Sequence, residues 1–302
     1  MSGVTSSGHI TGLRRDDLDL SATLRSGQVF RWNEDTNKIW HGVLENHFPV
    51  RLQQSDDDSS IWWEADSPDA ESAVRSFLRL GPDEPDLAAL GETWCRADAL
   101  FAEAWARSPG IRVLRQDSNE CFFAFLCASV APIARISGML RAVAGELGTV
   151  LSGPLPLFPT AAQIAAASEN RLRELGLGFR AKRVMEAARV LTQLPADHLS
   201  ALRHNATHGE AKKELTAFFG VGEKIADCVC LFALDKNGAI PVDTHIWRIA
   251  VTRYAPDLAG KSLTAANYAR VTQAFRDRFG PLAGWAQQTL FFRAAVGRKT
   301  EK

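Results

Sequence analysis

Between two stretches of helical periodicity lies Phe218-Phe219-Gly220-Val221-Gly222-Glu223-Lys224-Ile225-Ala226-Asp227, where two glycines one residue apart permit a tight hairpin. A dinucleotide fingerprint would need Gly or Ala at 225 after a strand, and a Walker loop would need Ser or Thr after Gly-Lys, so neither fits. What remains is helix, Gly-Val-Gly, helix. Bare backbone N–H groups and the positive dipole end at the start of the second helix make a seat for a phosphate. This suits a nucleic-acid backbone read without regard to sequence, with Gly220, Val221 and Gly222 as the contacts. Lys224 falls in the first turn of that helix, where the dipole works against its charge. The neutral amine is the form that attacks a sugar or carbonyl carbon to give a Schiff base. A plain phosphate contact is the competing role. Nineteen residues on comes Ile240-Pro241-Val242-Asp243-Thr244-His245. Asp243 reads as an N-cap, worth about 1 kcal/mol, and a carboxylate so fixed can also stabilise a developing oxocarbenium ion.

These groups need elements to hold them. From Leu18 to about Asp66, short β-branched and aromatic runs alternate with polar turns: 29–32, 39–44, 49–52 and 61–63. They predict an antiparallel sheet. After Ser67-Pro68 the period changes, and helices are expected over 69–80, 97–107, 118–129, 132–147, 169–175, 180–193, 209–218, 223–234, 244–253, 263–279 and 283–296. Ile136, Met139, Leu140 and Val143, like Ile225, Cys228, Val229 and Phe232, follow the spacing of a stripe pressed into a core.

The 302 residues are 46% hydrophobic and 23% charged, with 22 Gly and 13 Pro, which excludes a disordered or collagen-like chain. No apolar stretch approaches the ~20 residues needed to cross a bilayer, so no membrane partner is expected. Residues 1–19 are polar and lack the apolar run of a secretory signal. Five cysteines without a regular framework predict reduced thiols, hence the cytoplasm or nucleus and not secretion. Their spacing suits neither an iron–sulphur cluster nor zinc, so no metal or cofactor is expected. Net charge is zero but polarised. Residues 1–170 hold 14 Lys and Arg against 23 Asp and Glu, whereas residues 171–302 hold 21 against 12. Residues 171–189 alone carry six bases and two acids, so either one face meets nucleic acid or the charges lie on solvated faces.

The hairpin with Lys224 and the Pro241-Val242-Asp243 loop resemble the helix-hairpin-helix DNA glycosylases. Further matches narrow the resemblance to 8-oxoguanine DNA glycosylases of the eukaryotic type: Ser26-Gly27-Gln28-Val29-Phe30-Arg31-Trp32, Leu114-Arg115-Gln116-Asp117, Ile133-Ala134-Arg135-Ile136, Leu175-Gly176-Leu177-Gly178-Phe179-Arg180, Ala226-Asp227-Cys228-Val229-Cys230-Leu231 and Gly284-Trp285-Ala286-Gln287. The similarity runs in order over about 18–296. It implies an α+β fold: an N-terminal antiparallel β-sheet domain followed by an all-α helix-hairpin-helix glycosylase core of two subdomains. The expected limits are a flexible N-terminus at 1–17, the sheet domain with flanking helices at 18–110, the glycosylase domain at 111–296 and a tail at 297–302. The implied partner is double-stranded DNA containing oxidised guanine, bent across the cleft with the lesion base flipped out, and the chain is expected to act as a monomer.

Residue by residue, the resemblance gives Lys224 as the nucleophile that displaces the base and leads to β-elimination, with Asp243 assisting it. Gly27 matches the glycine whose carbonyl accepts the N7 hydrogen that ordinary guanine lacks. Gln287 matches the residue on the Watson–Crick edge, and Phe291 and Cys228 the pair sandwiching the ring. His245 matches a phosphate contact, Arg135 and Arg180 the pair reading the orphaned cytosine, and Phe179 an aromatic wedge. One departure matters. Where the family has asparagines before Ile133, this chain has Val130-Ala131-Pro132, none with an amide. Discrimination of the opposite base would then rest on the two arginines, and a weakened preference for cytosine is expected. Phe218-Phe219 is a smaller departure from Leu-Pro. The competing functions are a glycosylase for alkylated bases, against which Gly27 and Gln287 count, and a non-catalytic damage-binding protein, against which Lys224 and Asp243 count.

Overall fold

The computed structural model describes residues 5–45, 47–129, 131–150 and 155–295. Val130 and the expected tail at 297–302 lie outside the described residues. Strands β1 (Ser6–Thr11), β2 (Asn33–Glu34), β3 (Trp40–Leu44), β4 (Phe48–Gln54) and β5 (Ser60–Ala65) form one antiparallel sheet in the order β1-β5-β4-β3-β2. The register sets Trp40 opposite Leu52 and Leu52 opposite Trp63, so alternate residues share one face. That face is buried under α1 (Leu20–Arg25) and α2 (Ala70–Leu78), through Leu20, Leu24, Val74 and Phe77.

Two expectations need correction here. Residues 6–11 are an ordered edge strand, not part of a flexible tail: β1 pairs with β5 from Ser6 to Thr11, and Ile10 is buried opposite Ile61. Residues 29–32 are not a strand. Val29 packs in the sheet's core, Phe30 turns to Phe125 on the helical side with ring centroids 5.6 Å apart, and Arg31 pairs with Glu120. A segment divided between two cores cannot keep the two-residue alternation of a strand.

The helical part comprises α3 (Leu87–Ala97), α4 (Ala99–Arg107), α5 (Ser118–Cys127), α6 (Ile133–Leu147), α7 (Ala161–Ala166), α8 (Glu169–Leu172), α9 (Arg180–Leu191), α10 (His198–Asn205), α11 (His208–Thr216), α12 (Glu223–Ala233), α13 (Thr244–Ile249), α14 (Ala265–Phe279) and α15 (Ala283–Ala295). Helices α1, α3, α7 and α10 fall where none was expected. Short stretches such as α1, α7 and α10 give too few turns for a period to show. α5 is apolar around most of its circumference and accordingly central, packing against both α9 and α12. The cores divide earlier than residue 110. Leu87, Trp94, Phe101 and Ala104 join the helical core, where Trp94 and Phe101 meet Phe279 of α14.

Candidate active site and nucleic-acid face

The hairpin is built as its glycines require. Gly220 has φ +82°, and a Cβ there would stand 3.1 Å from Arg183 Cβ and Cδ. Gly222 is the N-cap of α12, exposed and without a side-chain capping bond, which leaves the first-turn N–H groups open. Val221 is buried and anchors the bend through its N–H to the Phe218 carbonyl at 3.1 Å.

Lys224 follows in the first turn of α12, half-buried, with Nζ 5.3 Å from the Phe125 ring centroid on α5. Its charge acts on the buried thiol of Cys228, one turn on. Burial pushes that thiol up to about 11, against the pull of the Lys224 charge and with a smaller push from Asp243. Amine and carboxylate thus both act on one buried sulphur. Asp243 is the N-cap of α13, as expected, and accepts the His245 and Ile246 N–H groups at 2.9 Å each.

A buried network fixes the loop against the helix. Asp227, fully buried one turn along α12, accepts from His208 Nε2 at 2.7 Å, Lys212 Nζ at 2.9 Å and the Tyr268 hydroxyl at 2.7 Å. The same hydroxyl oxygen lies 3.0 Å from the Ile240 carbonyl and accepts the Val242 N–H at 3.1 Å. In the sequence Asp227 stands out only as part of the Ala226–Leu231 motif. A charged residue inside an otherwise apolar helical run was the available signal, since such groups are buried only when paired.

From the other side, α15 contributes Gln287 and Phe291, which share a face at i, i+4. Gln287 is 2% exposed, yet its Oε1 is buried without a hydrogen-bond partner among the described residues. An orphaned buried acceptor costs about 1–3 kcal/mol unless something supplies a donor. Phe291 meets the His245 ring edge to face at 6.0 Å, and His245 Nδ1 is a second buried orphan. Gly27, at φ +79°, lies under the same ring: a Cβ there would sit 3.4 Å from Phe291 Cε1 and 3.3 Å from Ile133 Cδ1. Two glutamines hold this corner. Gln288 Nε2 donates to the Ser26 carbonyl at 2.9 Å, and Gln28, fully buried, donates to Arg112 O and accepts from Leu114 N. Asp243, His245, Phe291 and Gly27 are linked by these contacts, Gln287 shares the α15 face of Phe291, and Lys224 and Cys228, one turn apart on α12, are joined to Asp243 through the charges that act on the Cys228 thiol.

The remaining predicted residues form a second group. Phe179 is 59% exposed, the condition of an apolar side chain that awaits a partner. Arg180 lies 4.4 Å from its ring centroid, and Arg183 lies 5.1 Å away. Arg135 is exposed, whereas Arg180 is 2% exposed, with Nε and Nη2 donating to the Ser129 carbonyl. The basic run at 171–189 divides. Arg171 pairs with Glu146 and Glu174, and Arg173 with Glu169, so these follow the solvated-face reading. No helix among the described residues is long and apolar enough to cross a membrane.

The sequence matches the family described as 8-oxoguanine DNA glycosylase, N-terminal domain, over residues 11–122, and the HhH-GPD superfamily base excision DNA repair protein over residues 125–280. It is 36% identical over 294 residues to the N-glycosylase/DNA lyase OGG1 of Arabidopsis thaliana, covering 95% of this chain and 80% of that protein. It is 29% identical to the N-glycosylase/DNA lyase of Saccharomyces cerevisiae, over 94% of this chain and 85% of that one. Among solved structures, MBOgg1 in complex with a low-affinity DNA ligand superposes with a TM-score of 0.82 at 26% identity, over 100% of both chains. The apo-form of the Clostridium acetobutylicum 8-oxoguanine glycosylase/lyase does so with a TM-score of 0.79 at 25% identity, over 95% of both.

Proposed function

The chain belongs to the 8-oxoguanine DNA glycosylases of the HhH-GPD superfamily, and on that premise we propose how its residues excise 8-oxoguanine from duplex DNA and then cleave the strand. Lys224 Nζ, as the neutral amine, attacks C1′ of the flipped nucleoside and the C1′–N9 bond breaks with its electron pair leaving on the base, which takes up a proton; the C1′–O4′ bond then opens, O4′ accepting a proton from the attached nitrogen, to leave a protonated imine between Nζ and C1′. Asp243, held by its two capping bonds, faces the positive charge that builds on the sugar. The imine then acidifies the C2′ proton, whose loss expels the 3′ phosphate. Gly27, Gln287, Phe291 and Cys228 receive the base. The 8-oxopurine N7–H needs an acceptor, which the Gly27 carbonyl supplies, and its pairing-edge donors meet the orphaned Gln287 Oε1. His245 and the Gly220-Val221-Gly222 bend take phosphates, Phe179 fills the stack, and Arg135 and Arg180 read the estranged cytosine. The protein works in the compartment that holds the DNA, cytoplasm or nucleus.

The observation that carries this reading is the orphaned acceptor of Gln287, 2% exposed, on the helix face that also bears Phe291. A 7-alkylated guanine offers Gln287 the same pairing-edge donors but has no N7–H for the Gly27 carbonyl, so it is the two acceptors together that favour the oxidised purine. The test is single-turnover base release from duplexes bearing 8-oxoguanine, 7-methylguanine or guanine. Release of 8-oxoguanine alone is expected, and Gln287→Ala slows it. Faster release of the methylated base would favour an alkyl-base glycosylase, and tight binding without release a damage-binding protein.

A further inference from the structure

Arg183 lies one turn beyond Arg180 on α9 and shares both of its anchor points. Arg183 Nη1 donates to Ser129 Oγ at 2.9 Å, beside the Ser129 carbonyl that Arg180 engages, and both guanidiniums lie over the Phe179 ring. The stem of Arg183 is fixed from the opposite side by the hairpin, because its Cβ and Cδ fill the space where Gly220 would carry a Cβ. A single side chain thus ties together the hairpin, the exposed aromatic and the residue that precedes the Val130-Ala131-Pro132 segment. Its charge has company of the same sign. After burial, the groups that lower Arg180 are Arg135 and Arg183, with the Cys127 thiol acting in the opposite sense. Three guanidiniums sharing one field are suited to acceptors from outside the protein.

The pairing edge of a cytosine left behind by a flipped purine presents O2 and N3 side by side, both acceptors, as a guanidinium fork requires. Adenine, guanine and thymine each place a donor beside an acceptor there. The segment 130–132 carries no amide, and Ser129 takes only one of Arg183's five N–H groups. We propose that Arg183 is a specificity-determining residue that reads the acceptor edge of the estranged cytosine, in place of the missing amide. This rests on the chain acting as an 8-oxoguanine glycosylase. A fork whose donors match only cytosine favours it over adenine by about tenfold, the low end of what a bidentate guanidinium–base pair contributes.

The experiment is single-turnover excision of 8-oxoguanine opposite C, A, G and T by the full chain, its Arg183→Ala and its Arg183→Lys variants. Expected is a wild-type preference for C over A that falls about tenfold in both variants, with whatever remains resting on Arg135 and Arg180. Arg183→Lys keeps an aliphatic stem against Gly220, so it supports the measurement where the alanine variant folds poorly, and it retains the charge while losing the fork. A wild-type ratio kept by either variant overturns the proposal, as does a wild type that excises equally opposite C and A. A wild type that releases 8-oxoguanine opposite no base overturns the functional reading, and the role of Arg183 with it.

Discussion

Arg79, Arg112 and Arg115, at the seam between sheet and helices, direct their donors to the protein itself, whereas Arg135, Arg180 and Arg183 gather on the face that carries Phe179. At the seam, Arg79 pairs with Glu84 and bonds Asn237, and Arg115 pairs with Glu84 and Asp235. Arg112, 3% exposed, donates to the carbonyls of Leu78, Asp17 and Pro85. Burial, and then the Arg79 charge, bring its guanidinium down to about 10. Trp285, at the start of α15, lies against both Arg79 and Arg112 and donates to Asn237. Seam and site are therefore coupled through one helix: Trp285 anchors α15, and Gln287, Gln288 and Phe291 follow on it. Arg79 even ends α2 at φ 55°, a left-handed conformation that costs about 1 kcal/mol or more and persists because its bonds hold it. On the α6–α9 face the anchor points are Ser129 and an exposed ring, and the neighbouring charges are like ones. The same residue type is held by carboxylates at the seam, and on the α6–α9 face it sits among like charges beside an exposed ring.

Substitution should separate the two groups cleanly. Arg79→Ala removes the buried partner of Glu84 and Asn237, which keep Arg115 and Trp285, and is expected to destabilise the fold by about 1–3 kcal/mol in denaturant titration, with no change in the salt dependence of DNA binding by whatever remains folded. A loss below about 1 kcal/mol would contradict the structural role. Acidification probes the same seam. Burial favours the neutral form of Glu84, but Arg79 and Arg115 outweigh it and hold the carboxyl below its ordinary range. A depressed folded value means stability that is present above the unfolded value and lost as pH falls through the folded one. The melting temperature should therefore drop on acidification below about pH 4.5, and Glu84→Gln should flatten that drop. An identical profile in the variant would remove Glu84 from the account. The smallest effect on the fold belongs to the other group: Arg135→Ala should change stability by no more than about 0.5 kcal/mol. It should instead relax the preference for cytosine opposite 8-oxoguanine by about tenfold, and an unchanged preference would place Arg135 outside the reading of that base. Wild-type affinity itself should fall steeply between about 50 and 200 mM salt, and a flat response would break the polarity argument.

The hairpin, Lys224 and the Asp243 cap were legible because each is local: a glycine pair, a first-turn position and an Asp before a helical run mean the same thing wherever they occur. The sheet was legible from its alternation, and β1 was not, since Ser6–Thr11 offers one buried residue, Ile10, and takes its strand form from pairing with β5. Short helices such as α7 and α10 carry too few core residues for a period to declare itself. At the site, what the sequence withheld was pairing at a distance. That Asp227 gathers His208, Lys212 and Tyr268, or that Arg183 reaches Ser129, depends on contacts between residues 15–54 positions apart. The polarised charge count overstates the basic run, because Arg171 pairs with Glu174 nearby and Glu146 on α6, and Arg173 with Glu169.

The central claim is that the Lys224 amine becomes covalently joined to the sugar. Borohydride reduction during turnover on an 8-oxoguanine duplex reads this directly, because it fixes an imine as a stable amine. The wild type should give a protein–DNA adduct of one to one stoichiometry that maps to Lys224, and Lys224→Gln, with the fold intact, should give none. An adduct of undiminished yield in Lys224→Gln, or base release by the wild type with no trappable species, would contradict it.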